Sequence, residues 1–108
     1  MALDEKKCLP CQIGDDPLTE TQIKEYLPMV PKWQVKKNRL TRLFKFKDFM
    51  KAIGFLNKVA DIAEEEGHHP DFRLFNYNKV EFILFTHKIN GLHLNDFILA
   101  AKINNLLS

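Results

Sequence analysis

DFMKAIGFLNKVADIAEEEG is the stretch from Asp48 to Gly67. Its apolar residues Phe49, Ile53, Leu56, Ala60 and Ala63 recur at steps of three and four, which is the period of one face of a helix. Asp48 is suited to cap that helix, because its carboxylate accepts from backbone N–H groups that have no partner in a first turn. Gly67 is suited to end it, since glycine enters the left-handed conformation of a helix C-cap without strain. The spacing predicts a long helix from Asp48 to Glu66, with an apolar stripe that packs on a core.

Upstream of this helix, Thr19 or Thr21 can cap a short helix running to Tyr26, and Pro28 and Pro31 stop it because proline lacks the N–H that a helix needs. Trp33 to Lys36, a polar turn at Lys37-Asn38-Arg39, and Leu40 to Phe46 read as a hairpin with Leu40, Phe44 and Phe46 on one face. Downstream, Phe72 to Tyr77 and Val80 to His87 read as two strands around Asn78-Lys79. After Gly91 a last helix spans about Leu94 to Leu107. The order α-β-β-α-β-β-α predicts an α+β fold, a four-stranded antiparallel sheet with helices packed on one face. Residues 1–17 are polar, contain Pro10, Gly14 and Pro17, and show no period; they are expected to be a flexible arm ahead of a single domain over 18–108.

The chain has 108 residues, 45% of them apolar and 28% charged, which fits one small globular domain. A core of this size is modest, so burial against further copies would add stability. Val80, Phe82 and Leu84 share one strand face while Ile83 and Phe85 put apolar bulk on the other, and a homodimer or homotetramer would cover it. The net charge of +2 is spread without a dense basic stripe, which argues against direct nucleic-acid binding. No run of apolar residues is long enough for a membrane span and the first residues lack an apolar signal core, so the expected place is the cytoplasm, with the nucleus open to a eukaryotic member. Cys8 and Cys11 have C-x-x-C spacing, but no second Cys/His pair and no preceding strand support a zinc or thioredoxin-like site.

All four histidines lie between His68 and His93. His68 and His69 follow, after Gly67, a helix ending Glu64-Glu65-Glu66, three carboxylates at a helix C-terminus where the macrodipole favours cations. Local rules are broken more often at functional sites than elsewhere. Negative charge beside an imidazole favours its protonated form, the form a general acid needs. Glu64 stands one helical turn before His68, so its carboxylate is expected beneath that imidazole if the helix persists to Gly67. Pro70 biases His69 toward an extended conformation, which sends the two adjacent rings in different directions. His87, at a strand end, and Asp96, in the first turn of the last helix, are expected to reach the same rim.

The succession Glu64, His68-His69-Pro70, Tyr77, His87, Asp96, with Tyr77-Asn78-Lys79-Val80, Thr86-His87 and Trp33, resembles the signature of the pterin-4a-carbinolamine dehydratase family over roughly residues 17 to 106. The resemblance implies loss of water from a 4a-hydroxytetrahydropterin to give a quinonoid dihydropterin, in tetrahydrobiopterin recycling, with no metal or organic cofactor. It implies His68 and His87 as general acid/base catalysts for opposite stereoisomers, with His69 the third histidine of the site and mainly a binder of substrate. Glu64, Pro70, Phe72, Thr86, Asp96 and Trp33 complete the expected substrate contacts, with Phe75 an alternative to Phe72 as the aromatic wall. Gly67 in an acidic place, one inserted residue between Pro70 and Tyr77, and His93 in place of a capping Ser depart from the vertebrate pattern and put substrate preference in question. Three rival readings stand beside it: a zinc site from Glu64, His68 and His87, a partner of a transcription factor docking on the helix from Asp48 to Glu66, and a molybdopterin-related role.

Overall fold

The structure, a computed structural model, describes residues 3–8 and 16–107. Thr19 opens α1 (Glu20–Tyr26) with a reciprocal capping box, its side chain accepting from Gln22 N–H while the Gln22 side chain accepts from the Thr19 N–H. A 3-10 turn at Leu27–Met29 carries Pro28 and leads to β1 (Gln34–Lys36) and β2 (Arg39–Lys45). α2 (Phe49–Glu66) starts on Asp48, whose side chain accepts from Lys51 N–H, and ends on Gly67 at φ 66°. Then come β3 (Asp71–Phe75), β4 (Lys79–Leu84), a 3-10 turn at His87–Ile89 and α3 (Leu94–Asn105). The sheet is antiparallel in the order β1-β2-β4-β3, so the expected α+β architecture and its element order hold.

Strand and helix ends differ from the expectation. Asn76 and Tyr77 both adopt positive φ, so the strand predicted to run to Tyr77 stops at Phe75 and those residues form the turn. β4 ends at Leu84, and the chain continues through an isolated bridge between Thr86 and Gly91 into the 3-10 turn that carries His87. α3 ends at Asn105, short of the expected Leu107.

The core lies between one sheet face and the helices. Leu40 pairs with Leu84 and Phe44 with Val80, all buried, and Phe82 sits between them in the same layer. The α2 stripe that meets this layer is Ala52, Phe55, Val59 and Ala63; of the predicted Phe49, Ile53, Leu56, Ala60 and Ala63, Ala63 is in it and Leu56 packs at its edge, half-buried. One residue turns the helix by about 100°, and with apolar residues on several sides of α2 the sequence period fits either register. Phe49 and Ala60 are exposed.

α3 is buried around most of its circumference, as expected of a helix that runs through a core. Tyr26 packs on Phe97, with ring centroids 5.7 Å apart. Of the segment expected to be a flexible arm, residues 3–8 lie against this helix: Leu3 is buried, Lys102 Nζ donates to the Asp4 carbonyl at 3.0 Å, and Asn105 donates to the Asp4 carboxylate. Cys11 lies outside the described residues. Gly91 admits the incoming chain, since a Cβ there would sit 2.6 Å from Pro17 Cβ, and Leu18 N–H donates to Leu92 C=O nearby.

Candidate active site

The end of α2 builds the site. Gly67 in the left-handed conformation breaks the helix one residue before His68, so the ladder that would have placed Glu64 under His68 does not reach it. His68 instead points to α3, where its Nε2 lies 2.7 Å from Asp96 Oδ1. His69 turns back and its Nε2 meets Glu64 Oε2 at 2.6 Å. The expected pairing of Glu64 with His68 is therefore corrected: Glu64 serves His69, and Asp96 serves His68. The two rings do diverge, as the following proline suggests.

Asp96 is fully buried and its carboxylate is a hub. Oδ1 faces His68, while Oδ2 accepts from Thr86 Oγ1 at 2.9 Å and from His93 N–H at 3.0 Å. A buried carboxylate is tolerated when donors surround it in this way. Because a carboxylate can only accept, it orients His68 with the proton on Nε2 and leaves Nδ1 as the other nitrogen of the ring. His93 caps α3, with Nδ1 accepting from Asn95 N–H at 3.0 Å. Asp96 thus lies beneath the site rather than on its rim.

A cavity of about 530 Å³ opens above this hub, with His68, His69, Thr86 and His87 on its walls. His87 also lines the cavity, its side chain 73% exposed, with Nε2 4.0 Å from Asp71 Oδ2 and its ring edge-on to Phe85 at 5.0 Å. Sequence reasoning missed Phe85, Glu66 and Cys8 on the same walls. Glu66 continues the buried series Val59, Ala63 by a further three residues on the same helix face, a register that the sequence period left open.

Not every expected site residue comes here. Pro70, Phe72 and Glu64 line a neighbouring groove of about 560 Å³ between α2 and β3, which shares His69 with the histidine cavity. Alternation along β3 separates Phe72, which packs on Phe82, from Phe75, which lies on the outward face under the Arg73 guanidinium. Trp33 is a core residue, edge-on to Phe44 and donating to Asn104 Oδ1 at 2.8 Å. Asn104 is about 12 Å along α3 from Asp96 at 1.5 Å per residue, so Trp33 belongs to the opposite end of the core. Among the described residues no three His, Cys, Asp or Glu side chains converge as a metal site, and the triad Glu64, His68, His87 is split among three different carboxylate and imidazole partners.

With the geometry in view, comparison with known proteins decides the family. The sequence profile described as pterin 4 alpha carbinolamine dehydratase matches residues 16–106. This chain belongs to the pterin-4a-carbinolamine dehydratase family. A relative from Methylococcus capsulatus that carries the dehydratase name as a provisional assignment is 48% identical, the match covering 97% of this chain and 93% of the relative. Pterin-4-alpha-carbinolamine dehydratase 2, mitochondrial, of Arabidopsis thaliana is 45% identical over 96% of this chain and 58% of its own length. The crystal structure of a transcriptional coactivator/pterin dehydratase from Brucella melitensis superimposes with a TM-score of 0.81 at 38% identity, covering 86% of this chain and all of that one. A pterin dehydratase-like protein described as a RuBisCO assembly factor in the alpha-carboxysome is more distant, with a TM-score of 0.56 at 25% identity over 68% of this chain and 84% of its own. The chain is accordingly a pterin-4a-carbinolamine dehydratase, a carbon–oxygen hydro-lyase. No helix among the described residues is long and apolar enough to cross a membrane.

Proposed function

We propose that the dehydratase acts on 4a-hydroxytetrahydropterin by general acid/base catalysis from His68 and His87, with no metal or organic cofactor. The observation that carries this reading is the His68–Asp96–Thr86 chain under an open cavity that His87 also lines. An imidazolium gives its proton to the 4a oxygen, the C4a–O bond breaks as a neighbouring ring nitrogen supplies its electron pair, and that nitrogen then loses its own proton to a base. Proton transfer by a positioned side chain contributes roughly a hundred- to ten-thousand-fold. Two histidines lining one cavity suit the two faces of C4a. His69 and Glu64, both exposed and joined to one another, stand at the mouth where the cavity meets the Phe72 groove and serve binding.

Stopped-flow absorbance of quinonoid dihydropterin formation tests the assignment. Wild type accelerates the reaction, His68→Ala and His87→Ala each retain part of the acceleration, and the double variant loses it. A folded wild type with no acceleration over buffer would end the dehydratase reading. We also propose a homo-oligomer acting in the cytoplasm: Leu43, 54% exposed, lies on the outward sheet face with Thr41 and its register partner Ile83, and a second copy would cover it. A monomer at micromolar concentration in sedimentation would refute the oligomer.

A further inference from the structure

The wall of the cavity nearest the α2 C-terminus comes from the beginning of the chain. Cys8 lines the cavity beside Glu66, Gly67 and His68. Its backbone N–H donates to Glu66 Oε1 at 2.7 Å, and its thiol to the Asn95 carbonyl at 3.7 Å. The Glu66 side chain is 4% exposed, and its Oε2 lies 3.6 Å from Lys102 Nζ. Lys102 also donates to the Asp4 carbonyl, so one lysine holds both ends of the segment Leu3–Cys8, directly at Asp4 and through Glu66 at Cys8.

We propose that Glu66 is a positioning residue of the dehydratase: it fastens the N-terminal segment at Cys8 as a wall of the substrate cavity. The inference deepens the reaction reading above and rests on it. Glu66 has no hydrogen bond to His68, whose ring is set independently by Asp96. The carboxylate therefore governs how closely the cavity wraps its substrate and not how the proton moves. The cost of burying it is met by Lys102 and the Cys8 N–H together, an arrangement more demanding than a surface acidic run requires. The wall has a second, non-kinetic reporter, because burial first, then the Glu66 charge, raises the Cys8 thiol from 9.0 to about 12. A thiol so held reacts slowly.

The test uses the full chain with Cys11→Ser as background, and reads both the kinetics of pterin dehydration and the rate at which iodoacetamide labels Cys8. Losing one hydrogen bond of ordinary strength, Glu66→Ala raises KM about fivefold while kcat stays within about twofold. In the same variant Cys8 labels at least about tenfold faster as the thiol is released. Glu66→Gln keeps an oxygen for the Cys8 N–H and restores KM toward wild type, which a merely destabilised fold would not do. Cys8→Pro removes the donor itself without touching α2, and raises KM like Glu66→Ala. Unchanged labelling in Glu66→Ala with an active enzyme overturns the fastening, and faster labelling at unchanged KM overturns the wall. An inactive wild type is a different failure, one that takes down the reaction reading and the kinetic half with it while the labelling still reports whether the segment is docked.

Discussion

α3 carries two polar hubs, one near each end, Asp96 fully buried and Asn104 half-buried. Near its start, Asp96 gathers His68, Thr86 and the His93 N–H; near its end, Asn104 accepts from Trp33 Nε1 and Arg42 Nη1 and donates to the Pro31 carbonyl. Both satisfy polar groups that the core would otherwise penalise. The difference lies in what each hub leaves over. Asn104 is neutral and its partners are a core indole and a guanidinium laid over Phe44. Asp96 is an acid, and one of its donors is a histidine with a further ring nitrogen and a cavity in front of it. A well-satisfied polar cluster is therefore not itself a sign of chemistry; a titratable donor left with an unused atom at an open wall is.

The comparison breaks most visibly at Asp96. Asp96→Ala orphans three donors, and is expected to lower kcat at least about a hundredfold and to lose about 3 kcal/mol of stability, read by stopped flow and by denaturant unfolding. Asn104→Ala orphans the indole and the guanidinium, and is expected to lose about 2 kcal/mol; its kcat should stay within about twofold of wild type. Equal loss of activity in both variants would erase the distinction between the hubs. Gly67→Ala comes next: no atom lies within 4 Å of the added Cβ, so its cost is that of a left-handed non-glycine residue, about 1 kcal/mol, seen as a lower melting temperature. The smallest effect belongs to Cys8. Its folded thiol ionises only near 12 against an ordinary 9.0, so its contribution is complete below pH 9.0 and fades as pH rises toward 12. Cys8→Ser should flatten that part of the stability–pH curve relative to wild type.

Much of this was legible in the sequence, for identifiable reasons. Asp48, Thr19 and Gly67 act through the backbone next to them, and a local rule locates each one. The strand faces Leu40–Phe44 and Val80–Phe82–Leu84 follow from a period of two, which admits no intermediate register. The α2 stripe was displaced because its apolar residues surround the helix, leaving tertiary packing to choose the buried side. The pairing of His68 with Asp96 was out of reach for a related reason: it bridges residues 68 and 96 after a glycine reversal, whereas local spacing points to Glu64. Trp33 was assigned to the site from family likeness alone, and its indole partner at the far end of α3 could not be inferred from the residues around it. Glu66 was hidden by its neighbours, since three identical side chains in a row do not say which one turns inward.

The contact between Asp4 and Lys102 has a consequence for how the chain is made. Synthesis delivers Leu3–Cys8 well before the surface they rest on, which belongs to α3, a sequence separation of 98 residues at the Lys102 bond. Such long-range closure is slow relative to local structure, and it cannot begin until α3 has left the ribosome. The sheet and α2 can assemble ahead of it, but the cavity gains its Cys8 wall only when this early segment folds back over the later α3.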